Sequence, residues 1–326
     1  MFDRTRIAAG KTQTPLPCHI EQLENRLLMA GTVTVAFAPN KVTIKGDSAD
    51  NAISITAGGV SGAAYTISGL NDTNVVTKGI PCRNSPLVDF QISLGGGADS
   101  VTMSAMKARK IKIDSGSEAD IIALGDRLEA FGDLTIAGGA GNDTLRLSAG
   151  DYWGKTKIDA GAGDDTLSIG YGIAGAITLG IVDINMNAGN DVMSISCDPA
   201  VASPVTIYML GVKLGTGDDA LNMGGGDAGN AVTIDSATTI DMGAGNDELN
   251  IDPAGDGVIT SFGAGASTFN FGAGDDTTSG LTGSSMTFSP GASVWVIGGA
   301  GAESAALRSG FYSADYGLTS QLHITW

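Results

Sequence analysis

The amino-acid sequence predicts an all-β fold, a right-handed parallel β-helix (β-solenoid) with coils of 21 to 29 residues. One short phrase carries most of this expectation: an apolar pair, a glycine-rich turn, an acidic residue and a second apolar alternation. It occurs eight times between Leu94 and Thr278, as LGGGADSVTM, SGSEADIIAL, GGAGNDTLRL, AGAGDDTLSI, NAGNDVMSI, GTGDDALNM, GAGNDELNI and GAGDDTTS. Asp99, Asp120, Asp143, Asp165, Asp191, Asp219, Asp247 and Asp276 hold the same place in each copy. A repeat of this length is one supersecondary unit that cannot bury its own apolar face, so neighbouring units must stack. The residues between copies show two or three short alternating stretches and no helical period, which makes the stacked units strands. An antiparallel sandwich also has short strands and glycine turns. Hairpins, however, give no reason for one turn phrase to return at the same point of every unit.

Composition agrees with a single elongated domain. Glycine, at 49 of 326 residues, is about twice its average usage, and 42% hydrophobic residues suffice for a core, so the glycine marks turns and not disorder. Aromatics, at 6%, are sparse, and the core is expected from Val, Ile, Leu and Ala. A net charge of −17 argues against nucleic acid and anionic membrane surfaces as partners and for cations. No apolar run approaches the roughly 20 residues of a membrane span. Cys18, Cys82 and Cys197 are too few and too far apart for a disulfide framework and read as free thiols.

Four segments follow in order. Residues 1–30 carry Arg4, Arg6, Lys11 and Arg26 in an otherwise acidic chain and form an export leader or an amphipathic N-terminal segment. A conventional signal peptide needs an apolar stretch where Thr12, Gln13, Thr14, Pro15 and Pro17 stand. Residues 31–90 are strand-rich, and KVTIKGDSADNAISIT reads as a degenerate copy with Asn51 at the acidic position, two coils ahead of Asp99. Residues 91–280 are the repeat solenoid. In the coil from Thr144 to Asp165, Leu145 and Leu147 mark one strand, a turn is expected through Ala149, Gly150 and Asp151, and Lys155 to Ala160 forms the second strand. The longer coils have space for three, as in VMSIS, VTIYM and VKLG between Asp191 and Asp219. Residues 281–326 form a C-terminal coil and cap, with Trp295 and Trp326 as cap packing.

Two resemblances rest on particular residues. Leu23, Glu24, Asn25, Arg26, Leu27, Leu28 and Met29 resemble the LEPR-XLL leader of large secreted bacterial repeat proteins, with Asn25 in place of its proline and Met29 in place of its last leucine. This resemblance implies an extracellular or cell-surface location. The glycine turns resemble the RTX (haemolysin-type) calcium-binding nonapeptide G-G-x-G-x-D-x-U-x, which Gly138, Gly139, Gly141, Asp143 and Leu145 match at every defined position. It implies calcium as cofactor, with the eight aspartates as candidate ligands. The phrase departs from RTX rolls in returning once per coil and not in tandem. Calcium accepts six to eight oxygen ligands, backbone carbonyls among them. Carboxylates stacked about 4.8 Å apart repel by about 0.9 kcal/mol even in water, which a divalent ion in each gap would offset. The alternative is that each aspartate only accepts hydrogen bonds within its turn.

The expected function is therefore a structural or adhesive β-solenoid outside the cell, stabilised by calcium, with extracellular polysaccharide or cell-surface components as possible partners. A polysaccharide lyase or hydrolase and a metal-free structural solenoid are the alternatives. An enzyme is disfavoured because the paired acids, such as Asp164 and Asp165, recur on every second turn or so and do not mark one cleft. The two histidines, His19 and His323, lie near the ends of the chain, and no G-x-S-x-G or zinc-spaced set is present. An ice-binding face would need a Thr-x-Thr ladder in register, and TVTV and KVTI near the start do not recur.

Overall fold

A computed structural model describes residues 31–57, 65–78, 87–170, 175–196, 204–225, 231–252, 260–279, 286–288 and 293–298, with the backbone of 322–325. The leader, all three cysteines, His19 and Trp326 lie outside the described residues, as does most of the C-terminal cap. No helix among the described residues is long and apolar enough to cross a membrane.

The expected parallel β-solenoid is the observed architecture. Strands leading into the glycine corner stack as one face: Asp89–Gly95, Lys110–Ser117, Leu134–Ala140 and Thr156–Ala162, and further on Thr238–Ala244, Ala266–Asn270 and Ser293–Ile297. Strands leaving the corner form a second face: Ala52–Ala57, Ser100–Ser104, Ile121–Gly125, Thr144–Leu147, Thr166–Ile169, Val192–Ile195, Ala220–Met223, Glu248–Ile251 and Thr277–Ser279. A third face holds Lys107–Ala108, Leu128–Ala130, Gly150–Tyr152, Val232–Ile234, Thr260–Phe262 and Met286–Phe288. The first and third faces belong to one 19-stranded sheet, and the second lies in a 10-stranded sheet.

Register is held by side chains that repeat inward at one position. Ile92, Ile113, Ile136, Ile158, Ile184, Val212, Ile240, Phe269 and Val296 pair coil to coil on the first face, and each is fully buried. A one-residue slip would turn this column out to solvent, so the alternation specifies the pairing. Aromatic residues close the core near both ends of the described array. Tyr65 meets Phe90 edge-on at 5.1 Å between centroids, and Phe262 stacks on Phe288 at 5.0 Å.

Several expectations need correction. The coil after Asp143 has three strands, because Gly150–Tyr152 pairs with Leu128–Ala130 where a turn was expected. VTIYM and VKLG run together as one 12-residue strand, Val205–Thr216, and Ile177–Ala188 is likewise continuous. Asn51 and Asp99 are neighbours in the stack, not two coils apart, since Ala52 pairs directly with Ser100. The additional residues include Tyr65–Leu70, which folds back antiparallel on Ala52–Ala57, and Asn74–Lys78, which pairs with Thr32–Ala38. That last strand also pairs antiparallel with Lys41–Lys45. These two antiparallel pairings cover the N-terminal end, where an exposed strand edge would otherwise invite pairing with another chain. Trp295 projects outward and is 40% exposed, while Val294 and Val296 fill the core there.

Candidate functional site

The glycine corner is the chemically distinctive part of every coil. Gly139 and Gly141 have φ of +113° and +129°, and a Cβ at Gly139 would lie 1.9 Å from the carbonyl oxygen of Gly116 one coil before. Glycine is thus required both by the backbone conformation and by the stacking. Where the phrase lacks a glycine, Glu118 and Asn187 take its place, each with φ of +75°.

All eight predicted aspartates stand in a single column and are 0 to 2% exposed. The backbone N–H of each of the first seven donates to Oδ1 of the aspartate one coil further on: Asp99 to Asp120 (2.7 Å), Asp120 to Asp143 (2.8 Å), Asp143 to Asp165 (2.8 Å) and Asp165 to Asp191 (2.7 Å). Asp191, Asp219 and Asp247 continue it to Asp219, Asp247 and Asp276 at 2.8 to 2.9 Å. Asn51 adds a rung at the start, donating to Asp99 at 2.6 Å. The reason is local. At the corner the aspartate N–H is a buried donor, and Oδ1 serves as its acceptor in place of a strand carbonyl. The carboxylate replaces a backbone acceptor, coil after coil.

The second oxygen, Oδ2, is buried without a hydrogen-bond partner in Asp143, Asp165, Asp191, Asp219 and Asp247. Under Gly138, Oδ2 of Asp143 and the carbonyl oxygen of Ala160 both lie within 2.5 Å of the point a Cβ would occupy. Burial, which penalises the charged form, pushes Asp191 and Asp247 up to about 7, Asp143 and Asp219 up to about 6, and Asp165 upward as well. Asp99 and Asp120 rise for the same reason, to about 7 and about 6, although the Asn51 amide and the Ser115 hydroxyl beside them oppose the shift. Ser115 Oγ also donates to the carbonyl of Gly138 at 2.8 Å.

A second, outer ladder was not anticipated. It is formed by the residue just before the acid in the six coils from Asp143 to Asp276 and runs in the opposite direction, the N–H donating to Oδ1 of the preceding coil: Asp164 to Asn142, Asn190 to Asp164, Asp218 to Asn190, Asn246 to Asp218 and Asp275 to Asn246, at 2.8 to 3.0 Å. Asn and Asp alternate strictly along it. Exposed carboxylates are therefore two coils apart, about 9.6 Å, where their repulsion in water is about 0.4 kcal/mol, half that of adjacent coils. The signal was present in the sequence as the alternation of GND with GDD.

In the inner aspartates an N–H hydrogen occupies Oδ1, Oδ2 is enclosed in the corner, and among the described residues no three His, Cys, Asp or Glu side chains converge on a possible ion position. Asp164 and Asp165, adjacent in sequence, belong to the outer and inner ladders and do not face each other across a cleft. The fold and the corner define the class: a parallel β-solenoid with an internal aspartate ladder. No known protein family, curated protein or solved structure matches the chain.

Proposed function

We propose that this chain is a structural and adhesive β-solenoid of the cell exterior, a stiff rod whose inner aspartates hold coil to coil. The eight-rung hydrogen-bonded ladder carries this reading: each acid is engaged by the backbone of its neighbour and is withdrawn from solvent. The similarity of the leader to LEPR-XLL supports export, and the separation of the adjacent acids supports a scaffold over a hydrolase. Calcium stabilisation is a second reading, favoured by the buried Oδ2 atoms without partners, because a cation could take the place of the protons they attract. In that case Oδ1 would keep its N–H donor while Oδ2, with the carbonyls of the glycine corner, faces the ion.

Thermal melts by circular dichroism in EDTA, magnesium and calcium separate the two. A protein that folds fully in EDTA, with the same melting temperature in calcium and magnesium, is the outcome expected of the self-sufficient ladder. A calcium-specific rise of many degrees would replace it with the calcium reading.

A further inference from the structure

The outward side of the third face carries a strip of aromatic rings. Glu129, Asp151, Thr178 and Thr206 stack in register as its outward column. The next outward position in each coil is Phe131, Trp153, Gly180 and Tyr208, and the rings are 44%, 58% and 54% exposed. Ile181, at 43%, lies beside them. In a chain with so few aromatics, this concentration of exposed rings on one face needs an explanation. A cleft of about 400 Å³ adjoins the strip, and its walls include Glu129, Asp151, Asp126 and Arg127. Asp126 and Arg127 are consecutive non-glycine residues at positive φ, 46° and 65°, a costly conformation that clusters at binding sites.

We propose that this strip and its cleft bind a linear, uncharged glycan lying along the solenoid axis. A sugar ring has an apolar C–H face that stacks on an aromatic ring and hydroxyls at its edge that carboxylates and threonine hydroxyls can bond. Trp153 and Tyr208 are two coils, about 9.6 Å, apart with only Gly180 between them, so two sugar rings fit on a periodic surface. The local charges select a neutral polymer. Lys107 pairs with Glu129 at 2.8 Å, and Arg127, 3.7 Å from Asp126, shares the cleft with three acids, Asp126, Glu129 and Asp151, so the cleft is net acidic on a chain of net charge −17. The strip is one ring wide and flanked by acids, a poor match to the broad apolar centre of a protein interface. This inference rests on the adhesive reading for its biological sense, but binding can be measured independently.

The test titrates the full chain with neutral hexasaccharides (cello-, manno-, xylo- and chito-oligomers) and with hexagalacturonate, following the heat of binding by isothermal titration calorimetry. At least one neutral hexasaccharide is expected to give a saturable change, weakened at least tenfold in Trp153→Ala and Tyr208→Ala and unchanged in Trp295→Ala, with all three variants melting like the parent. No response to any neutral oligomer, equal binding by Trp153→Ala, or preference for hexagalacturonate would each overturn it. Attachment of cells to a surface coated with the chain separates the two ideas. Attachment that survives Trp153→Ala refutes the strip as the adhesive surface and leaves adhesion standing. Sugar binding without any attachment refutes the adhesive reading and leaves the strip.

Discussion

Replacing one ladder aspartate by asparagine tests whether the corner needs a charge or only an acceptor. In Asp143→Asn the amide oxygen can still accept the Asp120 N–H, and the amide nitrogen can donate toward the Ala160 carbonyl near Oδ2. Burial raises the Asp143 carboxyl from its ordinary 3.8 to about 6, two units that correspond to about 3 kcal/mol of penalty on the ionised form at pH 8. Exchanging a charged acceptor for a neutral one returns roughly 1 kcal/mol of this. The variant should therefore be more stable at pH 8 by about 1–2 kcal/mol, or roughly 1.5 to 3 °C in melting temperature for a chain of this length. At pH 5 the folded carboxyl is largely protonated but the unfolded one is still ionised, so about half of the penalty persists and the gain should shrink, vanishing only below about pH 3 to 4. Asp143→Ala, which leaves the Asp120 N–H buried without an acceptor, should instead lose about 1–3 kcal/mol at either pH. Melts of the three proteins at pH 5 and pH 8 in EDTA decide the matter. An asparagine variant that is destabilised at pH 8 would refute the reasoning and show that the carboxylate is needed as an anion.

The same proton affinities set the pH dependence of the parent. Because the ladder carboxyls hold protons more tightly folded than unfolded, their contribution is fully present below about pH 4 and is lost as pH rises through 6 to 7, so the melting temperature should fall between pH 5 and pH 8. A flat or rising profile would contradict this. Gly139→Ala places a Cβ against the Gly116 carbonyl at an unfavourable φ and should cost more than about 2 kcal/mol, measurable by urea unfolding. Thr156→Val removes a core hydroxyl that has no hydrogen-bond partner between Leu134 and Val182; a gain of about 1 kcal/mol is expected by the same measurement.

The glycine phrase made the coil and its corner legible because a positive φ at a stacked position admits few residues. Asn51 was legible as a rung for the same reason. The coil count before Asp99 was not, since an antiparallel excursion consumes residues just as a coil does. Gly150–Tyr152 was too short to show an alternation. The inward direction of the aspartates escaped because side chains at a corner do not follow the period of two that governs a strand. The aromatic strip was hidden by unequal coil lengths: Phe131, Trp153 and Tyr208 fall into one column only after the coils are stacked.

Unequal coils raise the question of how the ladder keeps its register from 21-residue to 29-residue intervals. The first and second faces pair residue for residue on either side of the corner in every described coil, as in Leu145 with Leu167 and Ile158 with Ile184. The variation in length is taken up between the second face and the next corner, away from the ladder. Each coil thus presents the same donor and acceptor to its neighbours whatever its length, and an interior coil should be removable as a unit. Deleting residues 192–219 would bring Asp191 beside Asp247 and join Asp191 to Ala220, restoring the N–H to Oδ1 contact across the junction. The shortened chain is expected to keep its β spectrum and cooperative melt at a reduced stability, as nearest-neighbour stacking requires. A half-coil deletion, of residues 192–205, would leave only about 14 residues between Asp191 and Asp219, break the register and should not fold. If both deletions fold equally well, or neither folds, the corner ladder is not what sets the register of this solenoid.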